Sequence, residues 1–279
     1  MGEPAWKTPP GGSSEPDDDS TGTVLLQRWV ERPDGRFELM EWPPTLEDYL
    51  DPQLGDKLTQ GRRHIDTCHL LYGYLRGYFR ADEDVILLQD VKVLLGPGLP
   101  GPGPDVAVIR GARDNDPDLT SFDTVSQGVL PCLVIEVISP RDARIRRMDE
   151  VDKKDLYERV GIPEYLLVDT PRRATGHRFR IYGYRLGLGK RYRPIEPDRE
   201  GGILSETTGL RFGVSQDGKR IEVFDPAGER ILTPDEVLEK ATREEEARKL
   251  ALREASARKA AEAEVARLRA ELERLKKQA

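Results

Sequence analysis

Three polar side chains lie inside or beside segments that otherwise consist of core residues: Asp105, Glu136 and Lys153. Asp105 opens the apolar segment DVAVI, and Glu136 interrupts LVIEVIS, where a buried carboxylate is costly unless a cation or donors satisfy it. Lys153 follows on the next predicted helix. Carboxylate oxygens suit Mg²⁺, which shares its coordination with substrate phosphates. The three residues therefore predict a site for metal-assisted phosphate chemistry.

A purely structural interpretation of the same residues stays open at this point. Asp105 then serves only as an acid at the start of a strand. Glu136 and Lys153 then pair only with each other, as ionic groups at strand ends commonly do. The residue types alone favour this second interpretation.

The elements that would position these side chains follow from hydrophobic periodicity. Residues 61–79 carry apolar residues at helical spacing and predict one long amphipathic helix. A second helix is predicted over 148–160, ended by Gly161. A hairpin around Pro33-Asp34-Gly35 and a short capped helix at 45–50 come earlier. Strands are predicted within 84–95, 105–109, 130–139, 164–170, 178–186 and 220–225. This order predicts an α/β or α+β domain with a mixed sheet.

The two ends of the chain differ from this central part. Residues 1–21 are rich in Pro, Gly, Ser and Asp, and predict a disordered acidic tail before a folded domain at 22–232. Residues 233–279 begin with a capping box and then lack Gly and Pro, which predicts a long charged helix. Val265, Leu268, Leu272 and Leu275 have the spacing of a short coiled-coil seam. A homodimer through this helix and a lone solvated helix are both compatible with the pattern.

Charge and composition limit the classes of function. The formal net charge of −7 argues against a protein that coats nucleic acid through charge alone. Residues 1–20 carry −4 of it, so a local site of either sign remains compatible with the total. The sequence contains no run of 18 apolar residues, so no membrane span is predicted. The two cysteines, Cys68 and Cys132, predict buried free thiols, and the absence of an apolar signal core predicts a cytoplasmic protein.

Three segments carry a resemblance to a known family. GPGPDVAVI, LVIEVISP and KKDLYERVGIPEYLLVD, in that order, resemble the Uma-two-type family of "putative restriction endonucleases", a branch of the PD-(D/E)XK nuclease superfamily. The similarity extends from about 45 to 170 and continues more weakly to the C-terminal helix. It implies a restriction-endonuclease-like mixed sheet flanked by helices, and a nuclease that hydrolyses phosphodiester bonds.

The resemblance assigns roles to individual residues. Asp105 and Glu136 match the two motif carboxylates that hold the metal, with the backbone carbonyl of Val137 as a further ligand. The superfamily's lysine would stand two residues after Glu136, but that place is Ile138. The family's KxxxY pattern moves the lysine to Lys153, which would polarise the phosphate or activate water, with Lys154 as the competing candidate.

Several basic residues complete the predicted site. His64 opens the long helix where similar sequences place a helper residue, although a lone histidine at the start of a helix more often has a structural role. Arg62 and Arg63 precede it and are candidates for DNA phosphate contacts. Arg141 and Arg144 belong to a basic cluster between Glu136 and Lys153 and are candidates for the same role.

The resemblance and the residues together predict a Mg²⁺-dependent DNA endonuclease, with Mn²⁺ as a substitute ion and no membrane partner. Two other functions stay open. One is a noncatalytic DNA-binding or protein-interaction module on the same scaffold. The other is a nuclease that acts on RNA.

Overall fold

A computed structural model describes residues 25–53, 56–58, 61–113, 116, 118–138, 143–171 and 176–278 of the protein. The elements before the central strand are β1 (Leu26–Glu31), β2 (Phe37–Trp42), α1 (Leu46–Leu50), β3 (Lys57–Leu58), α2 (Arg62–Phe79), β4 (Val85–Leu88), β5 (Lys92–Leu94), β6 (Val106–Arg110), β7 (Ser121–Asp123) and α3 (Thr124–Gln127). The predicted long amphipathic helix is thus present as α2.

The second half starts with the longest strand of the described residues. Its elements are β8 (Pro131–Ile138), α4 (Ala143–Arg147), a π-helical turn (Met148–Lys153), α5 (Lys154–Val160), β9 (Glu164–Asp169), β10 (Arg180–Leu186), β11 (Tyr192–Pro194), β12 (Ile203–Leu204), β13 (Arg211–Val214), β14 (Ile221–Phe224) and α6 (Pro234–Gln278). The helix predicted over 148–160 is preceded by α4, and its first six residues form the π-helical turn that leads into α5.

A six-stranded sheet in the order β11-β10-β9-β8-β6-β4 forms the centre of the fold. Strands β8 and β9 are parallel, whereas the other neighbouring pairs are antiparallel, so the sheet is mixed as predicted. The parallel pair requires a crossover, which α4, the π-helical turn and α5 supply. The smaller sheets are β2-β1-β3, β12-β13-β14 and β5-β7. The α+β prediction is therefore confirmed.

Hydrophobic cores lie on both faces of this sheet. On one face, α2 packs its buried Leu71 and Leu75 into a cluster that includes Leu133 of β8. On the other face, α5 contributes Leu156 to a cluster that includes Val134. Successive residues of β8 enter opposite clusters because side chains alternate along a strand. This cover on both faces explains why the β8 segment is an almost unbroken apolar run.

Turn and cap chemistry predicted from the sequence is also present. In the β1–β2 hairpin, Glu31 faces Phe37, and Gly35 adopts a φ of 77°, which glycine tolerates without strain. Thr45 caps α1 in a reciprocal pair of hydrogen bonds with Asp48, whose carboxylate accepts from the Thr45 N–H at 2.8 Å.

The C-terminal helix α6 has 45 residues and belongs to a separate compact unit over 232–279, whereas residues 1–231 form the other unit. The predicted capping box is present: the Thr233 N–H donates to Glu236 Oε2 at 2.9 Å, and the Glu236 N–H donates to Thr233 Oγ1 at 3.1 Å.

The predicted tail at 1–21 lies outside the described residues. Among the residues that are described, no helix is long and apolar enough to cross a membrane. Cys132 is partly exposed rather than buried as expected, although it packs against the core cluster that contains Leu133.

Glu164 shows how this fold satisfies a fully buried carboxylate. It accepts hydrogen bonds from Arg185 Nε at 2.7 Å, Ser205 Oγ at 2.5 Å, Thr207 Oγ1 at 2.7 Å and the Glu206 N–H at 2.9 Å. These donors tie β9 to β10 and to the segment that follows β12. Burial alone would raise the pKa of Glu164, but the donors outweigh it and lower the pKa.

The lowered pKa of Glu164 predicts a pH dependence of stability. It contributes stability above the ordinary carboxyl value, and this is lost as the pH falls through the folded-state value. We expect Glu164→Gln to unfold more easily by about 1–3 kcal/mol at neutral pH. We also expect the variant to lose less stability than the wild type between about pH 5 and pH 3. Urea unfolding followed by circular dichroism measures both, and equal pH slopes would contradict this role.

Candidate active site

Asp105 stands directly before β6, at the end of the central sheet. Because Val106 faces Ile135 across the antiparallel β6–β8 pair, the next step in that register sets Asp105 beside Glu136. The Val137 N–H donates to Asp105 Oδ2 at 2.7 Å, and Asp105 Oδ1 lies 3.2 Å from His64 Nε2. The backbone of β8 and the start of α2 thus fix both oxygens of this carboxylate.

Glu136 is 1% exposed and is held from the other side by the crossover. Lys153 Nζ lies 2.9 Å from Glu136 Oε2, and the Tyr157 hydroxyl donates to Glu136 Oε1 at 3.0 Å. Lys153 Nζ also lies 3.1 Å from Asp149 Oδ1. Lys153 closes the π-helical turn and Tyr157 follows it in α5, so the two residues approach one carboxylate from the same side of the crossover.

The site holds more acidic than basic groups. The buried carboxyls of Asp105, Glu136 and Asp149 face two cationic groups, Lys153 and His64. Burial raises the pKa of Glu136 to about 8 against the attraction of Lys153, and burial likewise raises the pKa of Asp149 to about 6. With its pKa raised to about 8, the Glu136 carboxyl is expected to keep a proton near neutral pH.

The cationic groups respond in the opposite direction. Burial alone would lower the pKa of Lys153, but Asp149 and Glu136 outweigh it and raise the pKa, so the amine stays charged. Burial would also lower the pKa of His64, but the nearby Asp105 carboxylate raises it. In turn, His64 helps to lower the pKa of Asp105 against the effect of burial. The excess negative charge is chemically suited to a divalent cation, which would remove the need for a protonated carboxyl.

Three further side chains were not singled out by sequence reasoning. Asp149 lies four residues before Lys153, a spacing that brings side chains together on a helix and was the available signal. Tyr157 was used only as a spacing marker for the lysine. Cys68, four residues after His64, belongs with His64 and Asp105 to a group whose potential ligand atoms all lie within 4.8 Å of one another. Burial raises the pKa of the Cys68 thiol, which keeps the thiol protonated in the absence of an ion.

The geometry separates the two candidate lysines. Lys153 contacts Glu136, whereas Lys154 Nζ lies 5.2 Å from the centre of the Tyr184 ring, in a cation–π contact. The side chain of Lys154 is therefore engaged by an aromatic ring while that of Lys153 contacts the acids.

The predicted basic residues have different surroundings. The side chain of Arg62 is 94% exposed and lies 3.5 Å from Asp66, while Arg63 donates to the Pro171 carbonyl at 2.7 Å. Arg141 lies outside the described residues, and Arg144 lies in α4 with its side chain outside them.

Arg146, a neighbour in the predicted basic cluster, makes ion pairs within the protein. Its Nη2 lies 2.8 Å from Asp169 Oδ2, and its Nε lies 2.9 Å from Glu150. This part of the cluster therefore stabilises the crossover against β9.

Comparison with known protein families identifies the family of this chain. The sequence model of the Uma2 family, described as "Putative restriction endonuclease", matches residues 37–227, and the chain belongs to this family. Among solved structures, a putative nuclease of the DUF820 group from Anabaena variabilis ATCC 29413 is 16% identical. That match covers 51% of this chain and 74% of the other, with a TM-score of 0.35, which is too low to support any inference. No curated protein matches the chain.

Proposed function

We propose that this chain is a divalent-metal-dependent DNA endonuclease that hydrolyses phosphodiester bonds. The observation that carries the proposal is the juxtaposition of Asp105, Glu136 and Lys153 in a buried site with surplus carboxyl groups, within a family of restriction endonucleases. Asp105 directly precedes β6, Glu136 lies in the neighbouring strand β8, and Lys153 lies on the crossover that follows β8. A role in packing alone would not require this surplus of buried acids.

The proposed ligands of the ion are Asp105 and Glu136, with the carbonyl of Val137. Mg²⁺ is the proposed ion and Mn²⁺ its substitute, because carboxylate and carbonyl oxygens suit both. When bound, the ion supplies stabilisation of the negative charge that develops on the phosphate.

The chain's own groups act around this ion. Lys153 holds a fixed positive charge near the phosphate, and its raised pKa favours this role over that of a base. His64 orients Asp105 through Nε2 and is proposed as a positioning residue. Arg62 is proposed to contact DNA phosphates at the start of α2, together with Arg63, Arg141 and Arg144.

A cleavage assay with three substrates tests the proposal. Supercoiled plasmid, single-stranded RNA and double-stranded RNA are incubated with the full chain and Mg²⁺ or Mn²⁺, and with a chelator as control. We expect nicked or linear plasmid only when an ion is present. Cleavage of RNA but not of DNA would show that the substrate is RNA and would contradict the proposed DNA endonuclease. Ion binding without any cleavage would favour a noncatalytic module on the same scaffold.

We further propose that α6 forms a parallel two-stranded coiled coil with a second copy of the chain. Val265 and Leu272 occupy a positions and Leu268 and Leu275 occupy d positions of two successive heptads, and all four are exposed. A β-branched residue at heptad position a, combined with leucine at heptad position d, favours a two-stranded coiled coil. A partner helix with the same spacing would bury this exposed stripe.

Charges beside this stripe support the parallel orientation. Glu264 at heptad position g would lie opposite Arg269 at heptad position e of a parallel partner. An antiparallel pair would instead set g against g and e against e, which brings like charges together. The charge pattern therefore favours an in-register, parallel pair.

Substitutions in α6 test the pairing. We expect Leu272→Lys to convert a dimer of the full chain into a monomer, because it places a charge in the seam. Leu252→Lys is the matched control, since Leu252 is equally exposed but occupies a b position. Light scattering after gel filtration measures the mass. Glu264→Lys should weaken the dimer and Glu264→Lys with Arg269→Glu should restore it, whereas a monomeric wild type would contradict the proposal.

A further inference from the structure

His64, Cys68 and Asp105 form a cluster whose donor types differ from those of a magnesium site. His64 and Cys68 lie four residues apart on α2, a spacing that places both on one side of a helix. All three residues are more than nine-tenths buried, and their potential ligand atoms lie within 4.8 Å of one another. Among the described residues, Glu136 does not join this group.

The donors are an imidazole nitrogen, a thiol sulfur and a carboxylate oxygen. Imidazole and thiolate are ligands for Zn²⁺ and Co²⁺, whereas Mg²⁺ binds through oxygen. His64 Nε2 and Asp105 Oδ1 are 3.2 Å apart. Two ligands of one tetrahedral ion, each about 2.0–2.2 Å from it, are separated by about 3.4 Å. The spacing of these two atoms thus needs only a small expansion to admit an ion, and Cys68 Sγ lies within 4.8 Å of both residues' potential ligand atoms.

The surroundings of Asp105 and His64 also fit an ion. Asp105 Oδ2 is engaged by the Val137 N–H, which leaves Oδ1 directed toward His64. His64 Nδ1 is buried without a hydrogen-bond partner, so the ring orientation is set by the Nε2 side. Three protein ligands leave a fourth position of a tetrahedral ion open, as in catalytic zinc sites.

We propose that His64, Cys68 and Asp105 bind a divalent ion with affinity for sulfur, such as Zn²⁺. Cys68 makes the site selective for this ion over Mg²⁺. The ion would take Asp105, so it competes with the ion of the proposed endonuclease. Binding itself does not require nuclease activity; only the effect on cleavage rests on the proposed function.

Cobalt spectroscopy of the full chain tests the binding. We expect metal-free protein titrated with Co²⁺ to develop a sulfur-to-cobalt charge-transfer band. Cys68→Ser should abolish this band and weaken Zn²⁺ binding by more than about tenfold. Substitution of a residue that only supports a metal ligand already lowers metal affinity by about tenfold or more, and Cys68 is proposed as a ligand itself. The affinity for Mg²⁺ should be nearly unchanged. Cys132→Ser is the matched control and should keep the band, because Cys132 lies outside the cluster.

Other outcomes separate this inference from the proposed function. Absence of the band in the wild type, or its persistence in Cys68→Ser, would overturn the inference whatever the nuclease assay shows. His64→Gln gives a second test if Cys68→Ser is unstable, and it should also lose the band. A band without any Mg²⁺-dependent cleavage would support the ion site and reject the endonuclease. Where cleavage occurs, added Zn²⁺ should inhibit the wild type more strongly than Cys68→Ser.

Discussion

Asp105→Asn is expected to lower Mg²⁺-dependent plasmid cleavage by about 1000-fold or more while the fold is retained. Stabilisation of phosphate charge by an ion amounts to several kcal/mol, and each 1.4 kcal/mol or so is tenfold in rate. The amide keeps the shape of the carboxylate, and its oxygen can still accept from the Val137 N–H that now binds Asp105 at 2.7 Å. The charge and one metal-binding oxygen are lost.

The control for this substitution is Asp66→Asn. Asp66 also lies near the start of α2, but its side chain is exposed and pairs with Arg62 at a distance of 3.5 Å. We expect the control to retain cleavage within a few-fold of the wild type. Initial rates of plasmid nicking give the comparison, and circular dichroism checks the fold. If Asp105→Asn cleaves as fast as Asp66→Asn, Asp105 is not part of the catalytic site.

Lys153→Met is expected to destabilise the protein by about 3–5 kcal/mol, in addition to abolishing cleavage. The substitution leaves Glu136 and Asp149 buried without the ammonium that lies 2.9 and 3.1 Å from them. Removal of one partner from a buried ion pair usually has this cost because the remaining charge stays desolvated. Urea unfolding monitored by circular dichroism measures the difference in free energy.

The cost of Lys153→Met should depend on pH. Glu136 and Asp149 already have pKa values raised to about 8 and about 6, and without the ammonium they should bind protons more readily still. A raised carboxyl pKa contributes stability that is lost as the pH increases. The variant should therefore be less destabilised at pH 6 than at pH 8, relative to the wild type.

Two further variants complete this experiment. Lys154→Met should cost about 1 kcal/mol or less, because it removes only a cation–π contact with Tyr184. Lys153→Met combined with Glu136→Gln should cost less than the sum of the two single changes, since the residues are in contact. Equal stability of Lys153→Met and Lys154→Met would contradict the buried ion pair.

The sequence predicted those parts of the fold that local patterns encode. The 3.6-residue periodicity of α2 and the apolar run of β8 each indicated their element, and Thr45 and Thr233 indicated helix starts through capping boxes. The π-helical turn before α5 was missed, because hydrophobic periodicity does not distinguish one extra residue in a helical turn. The helix α4, which begins at Ala143 directly before this turn, was not predicted either.

The candidate site was predictable only in part. Asp105, Glu136 and Lys153 came from a spaced motif, and the structure brings the last two into contact. Their roles in catalysis stay predictions. The neighbours that set their charge states were not predicted, since Asp149 and Cys68 carry no motif of their own. Contacts between α2 and the start of β6 join residues about 40 positions apart, and such contacts depend on tertiary structure that a single sequence does not display.

The parallel pairing of β8 and β9 also affects the order in which the chain can fold. Residues 133–138 pair with residues 164–169, and such non-local pairing is slow compared with the formation of helices and hairpins. Lys153 lies on the crossover between these strands, so it reaches Glu136 in the same event that covers β8. The element that covers the Glu136 carboxylate is therefore also the element that supplies its ammonium partner.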